Sequence, residues 1–331
     1  MRLRRVGDRE KPLIQIDAGG GWADLPALLG RLSPRPQPEQ IASWSHDIIA
    51  LLGAPHYIRQ ELAAAALAHP AKAGRDTEAI LMPFAPRSYR DFMIYEEHTV
   101  AAARGFVKRF LPAFAPIVAT YERLAGSPFP KLKPAPLWYR QPIYYMGNHL
   151  AFVTDGDAVT APFYTDYLDY ELELGFVLSA PLLNASPEEA ENAIGGFVVL
   201  NDFSARDVQL AEMKSGFGPQ KAKHFANAIS PVLVTADEIL PRWRDLKGSV
   251  AINGRVVAEP SSANPHWSLG EMLAHVSRSE RLYPGEFFGT GTFPGGSGIE
   301  SGQRLVPGDR IEIAIQGIGS VANTIIAEKE S

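Results

Sequence analysis

The chain has 331 residues, 46% of them hydrophobic and 21% charged, an ordinary balance for one large domain or one large and one small. A formal net charge of −5 argues against nucleic acid or an anionic membrane as the main partner. With no cysteine, disulfides, thiolate metal sites and cysteine nucleophiles are excluded, and no apolar run approaches the roughly 20 residues of a membrane-spanning helix.

The basic start MRLRRVGDREKP has no apolar stretch behind it, so it does not read as a signal peptide, and a cytoplasmic protein is expected. Residues 1–17 alternate enough for a strand hairpin, followed by Gly19-Gly20-Gly21. The Pro-rich connector SPRPQPEQ at 33–40 leads to helical patterns at about 40–52 and 56–68, the second ended by His69-Pro70. Residues 1–80 hold few chemically promising groups and read as a small N-terminal accessory domain, with 81–331 as the main one.

Beyond residue 80 the chain becomes strand-rich. PFAPRSYRDF is an extended approach, and EEHTVAAARGFVKRFL is a helix starting near Glu96. Strands are expected at 150–154, 170–178, 195–202, 231–235, 248–252, 255–259 and 310–316. Asn253-Gly254 between two apolar runs predicts a type I′ hairpin. Ser268 with Glu271 predicts a capping box opening the helix LGEMLAHVSRSERL. Many short strands and few helices predict a mixed β-rich barrel or sandwich rather than a doubly wound sheet. No GxGxxG or GxxxxGK[ST] loop supports a dinucleotide or ATP fold.

Glu171 and Glu173, in TDYLDYELELGFVL, are the most informative pair. On a strand, residues two apart share a face, so two carboxylates stand side by side opposite Leu172 and Leu174. In an interior strand such a pair repels and costs desolvation energy unless a cation compensates, and a divalent metal would do so. The competing reading is an exposed strand with a solvated acidic face. Three further clusters are Asp91 with His98 in RDFMIYEEH, the run NDFSARDVQ with Asp202, Arg206, Asp207 and Gln209, and QKAKHFANAISP with Lys221, Lys223 and His224. Singly, His98 reads as a surface or capped histidine, Lys223 as a solvated charge and Asp91 as a helix cap. Together they supply hard oxygen ligands, a base and a cation.

The order DFxxxxxH, ExE on a strand, NDxSARDxQ, a lysine before ISP, then GTGT with a later glutamate makes the chain resemble the fumarylacetoacetate hydrolase family over roughly residues 82–325. It looks closer to the fumarylacetoacetase type than to the shorter decarboxylase and pyruvate-hydrolase branch. The resemblance implies an α+β, β-rich mixed-sheet barrel or roll, with a small domain over 1–80, a catalytic domain over 81–331, and a homodimer. It implies Asp91, Glu171, Glu173 and Asp202 as metal ligands, and Lys223 and Asn227 near a second cation or substrate site. His98 would be the general base, and Glu300 of GGSGIES the acid that orients it; by itself Glu300 reads as an exposed loop acid. Tyr145, Arg206, Gln209 and Thr292 would contact substrate. Four carboxylates with neither thiolate nor paired histidines suit Mg²⁺ or Ca²⁺, with Mn²⁺ also admissible, and not zinc.

The implied chemistry is hydrolysis of a carbon–carbon bond in a small β-diketo acid. A histidine fixed by a carboxylate activates water, Lys223 and Gln209 donate to the oxyanion, and the metal holds the departing enolate. One alternative is a lyase or isomerase (decarboxylase, hydratase or tautomerase) acting on a 2-oxo acid. Another is a non-catalytic binding protein stabilised by its metal. Three positions depart from the family: Met93 and Met213 stand where tyrosines are expected, and Val107, with Arg104 and Lys108 nearby, where an arginine is expected. Methionine donates no hydrogen bond, so the site should be less polar than one built for a twice-charged acid. The N-terminal part is also shorter than, and unlike, the small barrel of the animal enzymes.

Overall fold

In the computed structural model, which describes residues 1–69 and 78–328, strand β1 (Arg2–Gly7) pairs antiparallel with β2 (Pro12–Asp17), and β2 with β3 (Trp22–Asp24). Helices α1 (Leu25–Leu29), α2 (Pro38–His46), α3 (Ile48–Leu52) and α4 (His56–Ala68) follow. The helix expected over 40–52 is two helices, because Asp47 has an extended backbone and its carboxylate accepts the Ile49 N–H as the cap of α3. α4 ends on His69, while Pro70, expected to stop it, lies outside the described residues.

Next come β4 (Ile80–Leu81), β5 (Ser88–Phe92), α5 (Glu96–Phe110), α6 (Ala115–Ala125), β6 (Tyr144–Met146), β7 (Phe152–Val153), β8 (Ala158–Ala161), β9 (Leu168–Asp169) and β10 (Glu171–Leu178). The middle of the chain adds α7 (Pro187–Asn192), β11 (Ile194–Asp202), β12 (Ser204–Ala205), α8 (Arg206–Lys214), β13 (Asn227–Ile229), β14 (Val232–Thr235) and α9 (Ala236–Ile239). The last segment contains β15 (Gly248–Ile252), β16 (Arg255–Ala258), α10 (Leu269–Val276), β17 (Glu286–Ser297), α11 (Gly298–Ser301), β18 (Arg310–Ile315) and β19 (Gly319–Ala327). The expected hairpin joins β15 to β16, with Asn253 and Gly254 both at positive φ. Ser268 caps α10 by accepting the Glu271 N–H.

The large sheet runs β3-β2-β1-β14-β11-β10-β17-β5-β6, with β4, β7 and β13 attached to it. A second sheet runs β16-β15-β18-β19-β8, and β9 pairs with β12. The fold is mixed α+β and sheet-rich, with several sheets, none closed into a barrel. Every residue of β10 and β11 is buried, so Glu171 and Glu173 do sit in an interior strand. Leu172, Leu174 and Phe176 join one core, while Val177, Val198 and Phe287 join another that contains Leu3, Ile14 and Leu25. The N-terminal residues thus share a sheet and a core with the rest. No described helix is long and apolar enough to cross a membrane.

Candidate active site and metal centre

β10 lies between β11 and β17, and β17 pairs in parallel with β5. This order gathers acids from three strands: Asp91 near the end of β5, Glu171 and Glu173 at the start of β10, and Asp202 at the end of β11. The buried carboxylates of Asp91, Glu173 and Asp202 each offer an oxygen within 4.8 Å of the others. Gly289 of β17 faces Asp91 in the register, and a Cβ there would stand 2.3 Å from Asp91 Oδ1 and 2.8 Å from Glu173 Oε2. Only glycine leaves room for both acids. The Gly291 N–H donates to Glu173 Oε2 at 3.0 Å, and the Thr292 hydroxyl lies 3.4 Å from Oε1.

Burial raises the pKa of Glu173 well above normal, and neighbouring Asp91 adds to it; Asp91 is raised likewise by burial and then by Asp202. Asp202 is raised too, by burial that outweighs the Lys223 ammonium. Oδ1 of Asp91 and Oδ1 of Asp202 are buried without a hydrogen-bond partner. Crowded, dry, hard oxygens with unused acceptor capacity fit a divalent cation such as Mg²⁺, Ca²⁺ or Mn²⁺. Glu171 points elsewhere. Its Oε1 accepts from Arg206 Nη2 at 2.7 Å and its Oε2 from Lys223 Nζ. Against the effect of burial, these two cations hold Glu171 far below the usual carboxylate range. Lys223 also donates to Asp202 Oδ2 at 2.6 Å, so one ammonium bridges both acids.

His98 sits in the first turn of α5, with Nδ1 hydrogen-bonded to Glu300 Oε1 on α11 and Nε2 3.8 Å from Glu171 Oε1. A carboxylate only accepts, so it holds the proton on Nδ1 and leaves the Nε2 lone pair toward the acids. The Glu300 side chain is 6% exposed, so it is not an exposed loop acid. Two features bring it there. The first is Gly105, where a Cβ would lie 2.0 Å from the Ile299 carbonyl oxygen, so the bare helix face lets the α11 turn approach α5. The second is the fully buried Asp169, which accepts the Gly298 and Ile299 N–H groups at 2.8 and 2.9 Å and Arg206 Nε at 2.7 Å. Asp169 therefore ties the Glu300 turn to the guanidinium that holds Glu171. It was not among the sequence-derived candidates, although its signal exists: Asp169, Glu171 and Glu173 continue a single two-residue alternation.

A cavity of about 460 Å³ opens above these groups, and Tyr145, Arg206, Gln209 and Thr292 all line it. Tyr145 donates its hydroxyl to Asp202 Oδ2 at 2.8 Å; burial and the nearby acids push its pKa up and keep it protonated. Arg206 Nη1 donates to Gln209 Oε1 at 2.9 Å, which turns the Gln209 amide so that its NH₂ stays free. Asn227 faces Asp202 across the β11–β13 register and does not line the cavity, and both its side-chain polar atoms are buried and unpartnered. Met93, Val107 and Met213, the three departures, all line the cavity.

A family model described as fumarylacetoacetate (FAA) hydrolase C-terminal matches residues 121–326. Oxaloacetate tautomerase YisK of Bacillus subtilis is 32% identical over 162 residues, 49% of this chain and 53% of that protein. The 4-hydroxyphenylacetate degradation bifunctional isomerase/decarboxylase of Escherichia coli is 25% identical over 191 residues, 57% of this chain and 42% of that protein. Among solved structures, maleylpyruvate hydrolase from Sphingobium sp. SYK-6, in complex with manganese(II) and pyruvate, shares the fold. Its TM-score is 0.67 at 19% identity, covering 99% of this chain and 100% of that one.

Proposed function

Because this chain belongs to the fumarylacetoacetate hydrolase family, whose members include hydrolases, isomerase/decarboxylases and tautomerases, we propose that it is a divalent-metal-dependent hydrolase. It would cleave a carbon–carbon bond of a β-diketo acid of the fumarylacetoacetate or acylpyruvate type. The observation that carries this reading is the His98–Glu300 pair, whose free Nε2 faces the acid cluster. Hydrolysis needs such a base to activate water and decarboxylation does not, whereas tautomerisation would use it on a substrate C–H proton instead.

Asp91, Glu173 and Asp202, with Glu171 beside them, would hold the ion, which as a Lewis acid would polarise the substrate carbonyls and stabilise the charge released by cleavage. The rest falls to side chains of this chain. His98 Nε2 takes a proton from water, and the hydroxide adds to the distal carbonyl carbon. Glu300 stabilises the imidazolium that results. Lys223, with one N–H left after its bonds to Glu171 and Asp202, and the free amide of Gln209 donate to the oxyanion. The carbon–carbon bond then breaks toward the methylene carbon, which recovers the proton from His98. One water is consumed, and a carboxylic acid leaves together with an oxo acid, a 2-oxo acid from an acylpyruvate and a 3-oxo acid from fumarylacetoacetate.

The second reading is a tautomerase or decarboxylase of a 2-oxo acid, favoured by the names of the two curated relatives; it uses the acids and needs no activated water. The test is turnover of fumarylacetoacetate, acylpyruvates and oxaloacetate with Mg²⁺ or Mn²⁺ and with chelator, products being identified by mass. Metal-dependent cleavage that falls about 10²–10⁴-fold in His98→Ala supports hydrolysis. Carbon dioxide or tautomer formation without cleavage overturns it in favour of the second reading. We also take the protein to be a homodimer, since Ile117 and Leu124 of α6 are 58% and 81% exposed; light scattering reads this directly.

A further inference from the structure

The cavity has two chemically different ends. Its floor holds the acids, His98 and the cations. Its far wall is the C-terminal part of α5, where Ala102, Ala103, Phe106 and Val107 recur at helical spacing on the face that begins with His98, with Leu111 just past the helix end. Leu210 and Met213 of α8 complete that wall. From His98 to Val107 the helix rises about 13 Å, so the apolar surface extends several carbon–carbon bonds beyond the base.

The position of the positive charge decides what can lie along this wall. Among the described residues lining the cavity, the lysines and arginines are Lys223 and Arg206, and both are on the floor. Arg206 is 2% exposed and is held through Nε, Nη1 and Nη2 by Asp169, Gln209 and Glu171, and Lys223 is held by Glu171 and Asp202. Neither can reach a second carboxylate at the far end, where an anion would lie unpaired against aliphatic carbon.

We propose that the acyl group beyond the scissile bond is uncharged and apolar, a chain of several carbons or an aryl ring, and that the enzyme rejects substrates carrying a second carboxylate there. This rests on the β-diketo acid reading. The test uses the Mg²⁺-loaded protein and two matched series. In turnover, kcat/KM should rise roughly two- to fourfold per methylene from acetyl- to hexanoylpyruvate. Succinylpyruvate, which replaces the terminal methyl of butanoylpyruvate by a carboxylate, should fall at least tenfold below it. Met213→Arg changes a residue that is 50% exposed at the mouth, and should narrow that gap by supplying a cation. In binding, 2-oxohexanoate should protect the protein against heat more than 2-oxoadipate does. Cleavage of succinylpyruvate as fast as of butanoylpyruvate overturns this inference and leaves the hydrolase reading standing. If no acylpyruvate is cleaved but 2-oxohexanoate still binds better, the hydrolase reading fails and the apolar pocket stands. Equal protection by both 2-oxo acids overturns the pocket assignment.

Discussion

Glu171 and Glu173 are two residues apart on one strand, yet they titrate in opposite senses. Arg206 and Lys223 keep Glu171 ionised, whereas burial and Asp91 favour the protonated form of Glu173. The protons of Asp91, Glu173 and Asp202 belong to the group rather than to any one member. Their raised values mean that, without a bound cation, the folded chain holds protons the unfolded chain has released. That contribution is fully present below the unfolded carboxylate range near pH 4 and is lost as pH rises through the folded values. A divalent ion replaces these protons, so its stabilisation should grow with pH. At a hundredfold excess over Kd an ion adds about 2.7 kcal/mol, roughly 5 °C in Tm. We expect Mg²⁺ or Mn²⁺ to raise Tm clearly more at pH 8 than at pH 5.5, relative to chelator, in a scanning-fluorimetry series. An equal gain at both pH values would show that the ion binds away from these acids.

At the level of elements, α5 and β17 are both built around missing side chains. Gly105→Ala should stabilise an isolated helix by about 1 kcal/mol, but here the new Cβ meets the Ile299 carbonyl 2.0 Å away. The α11 turn must retreat and carry Glu300 from His98, so turnover should fall at least tenfold and Tm should drop. A variant with normal turnover and a higher Tm would refute this account of how the base is oriented. The same contrast explains what the sequence discloses. Periodic or locally capped elements were legible: α5, the Asn253-Gly254 hairpin, the Ser268 cap and the alternating acids of β10. β17 was not, because EFFGTGTFPGGS reads as turns; its Gly289 answers to acids on other strands, which no local pattern reports. α8 was hidden too, being mostly polar, with only Arg206 of its residues buried. Glu300 and His98 lie 202 residues apart, so no spacing within the chain marks them as partners.

For the whole molecule, the seam between β1 and β14 matters most. Residues 1–80, read from sequence as a separate accessory unit, extend the large sheet and bury Leu3 and Ile14 with Val198 and Phe287. We therefore expect a single calorimetric transition, and we expect a chain lacking residues 1–80 to be recovered unfolded or insoluble, with the β14 edge and Leu233 uncovered. Two resolved transitions, or a soluble folded truncation, would instead support the two-unit description. The seam also imposes a timetable on biosynthesis. Arg2 pairs with Val234, about 230 residues downstream, and a ribosome adding about 5–20 residues per second needs roughly ten to fifty seconds to make that partner. Throughout that interval the nascent hairpin displays an unpaired edge and apolar side chains, so the opening strands are where a holding chaperone should be found on the growing chain.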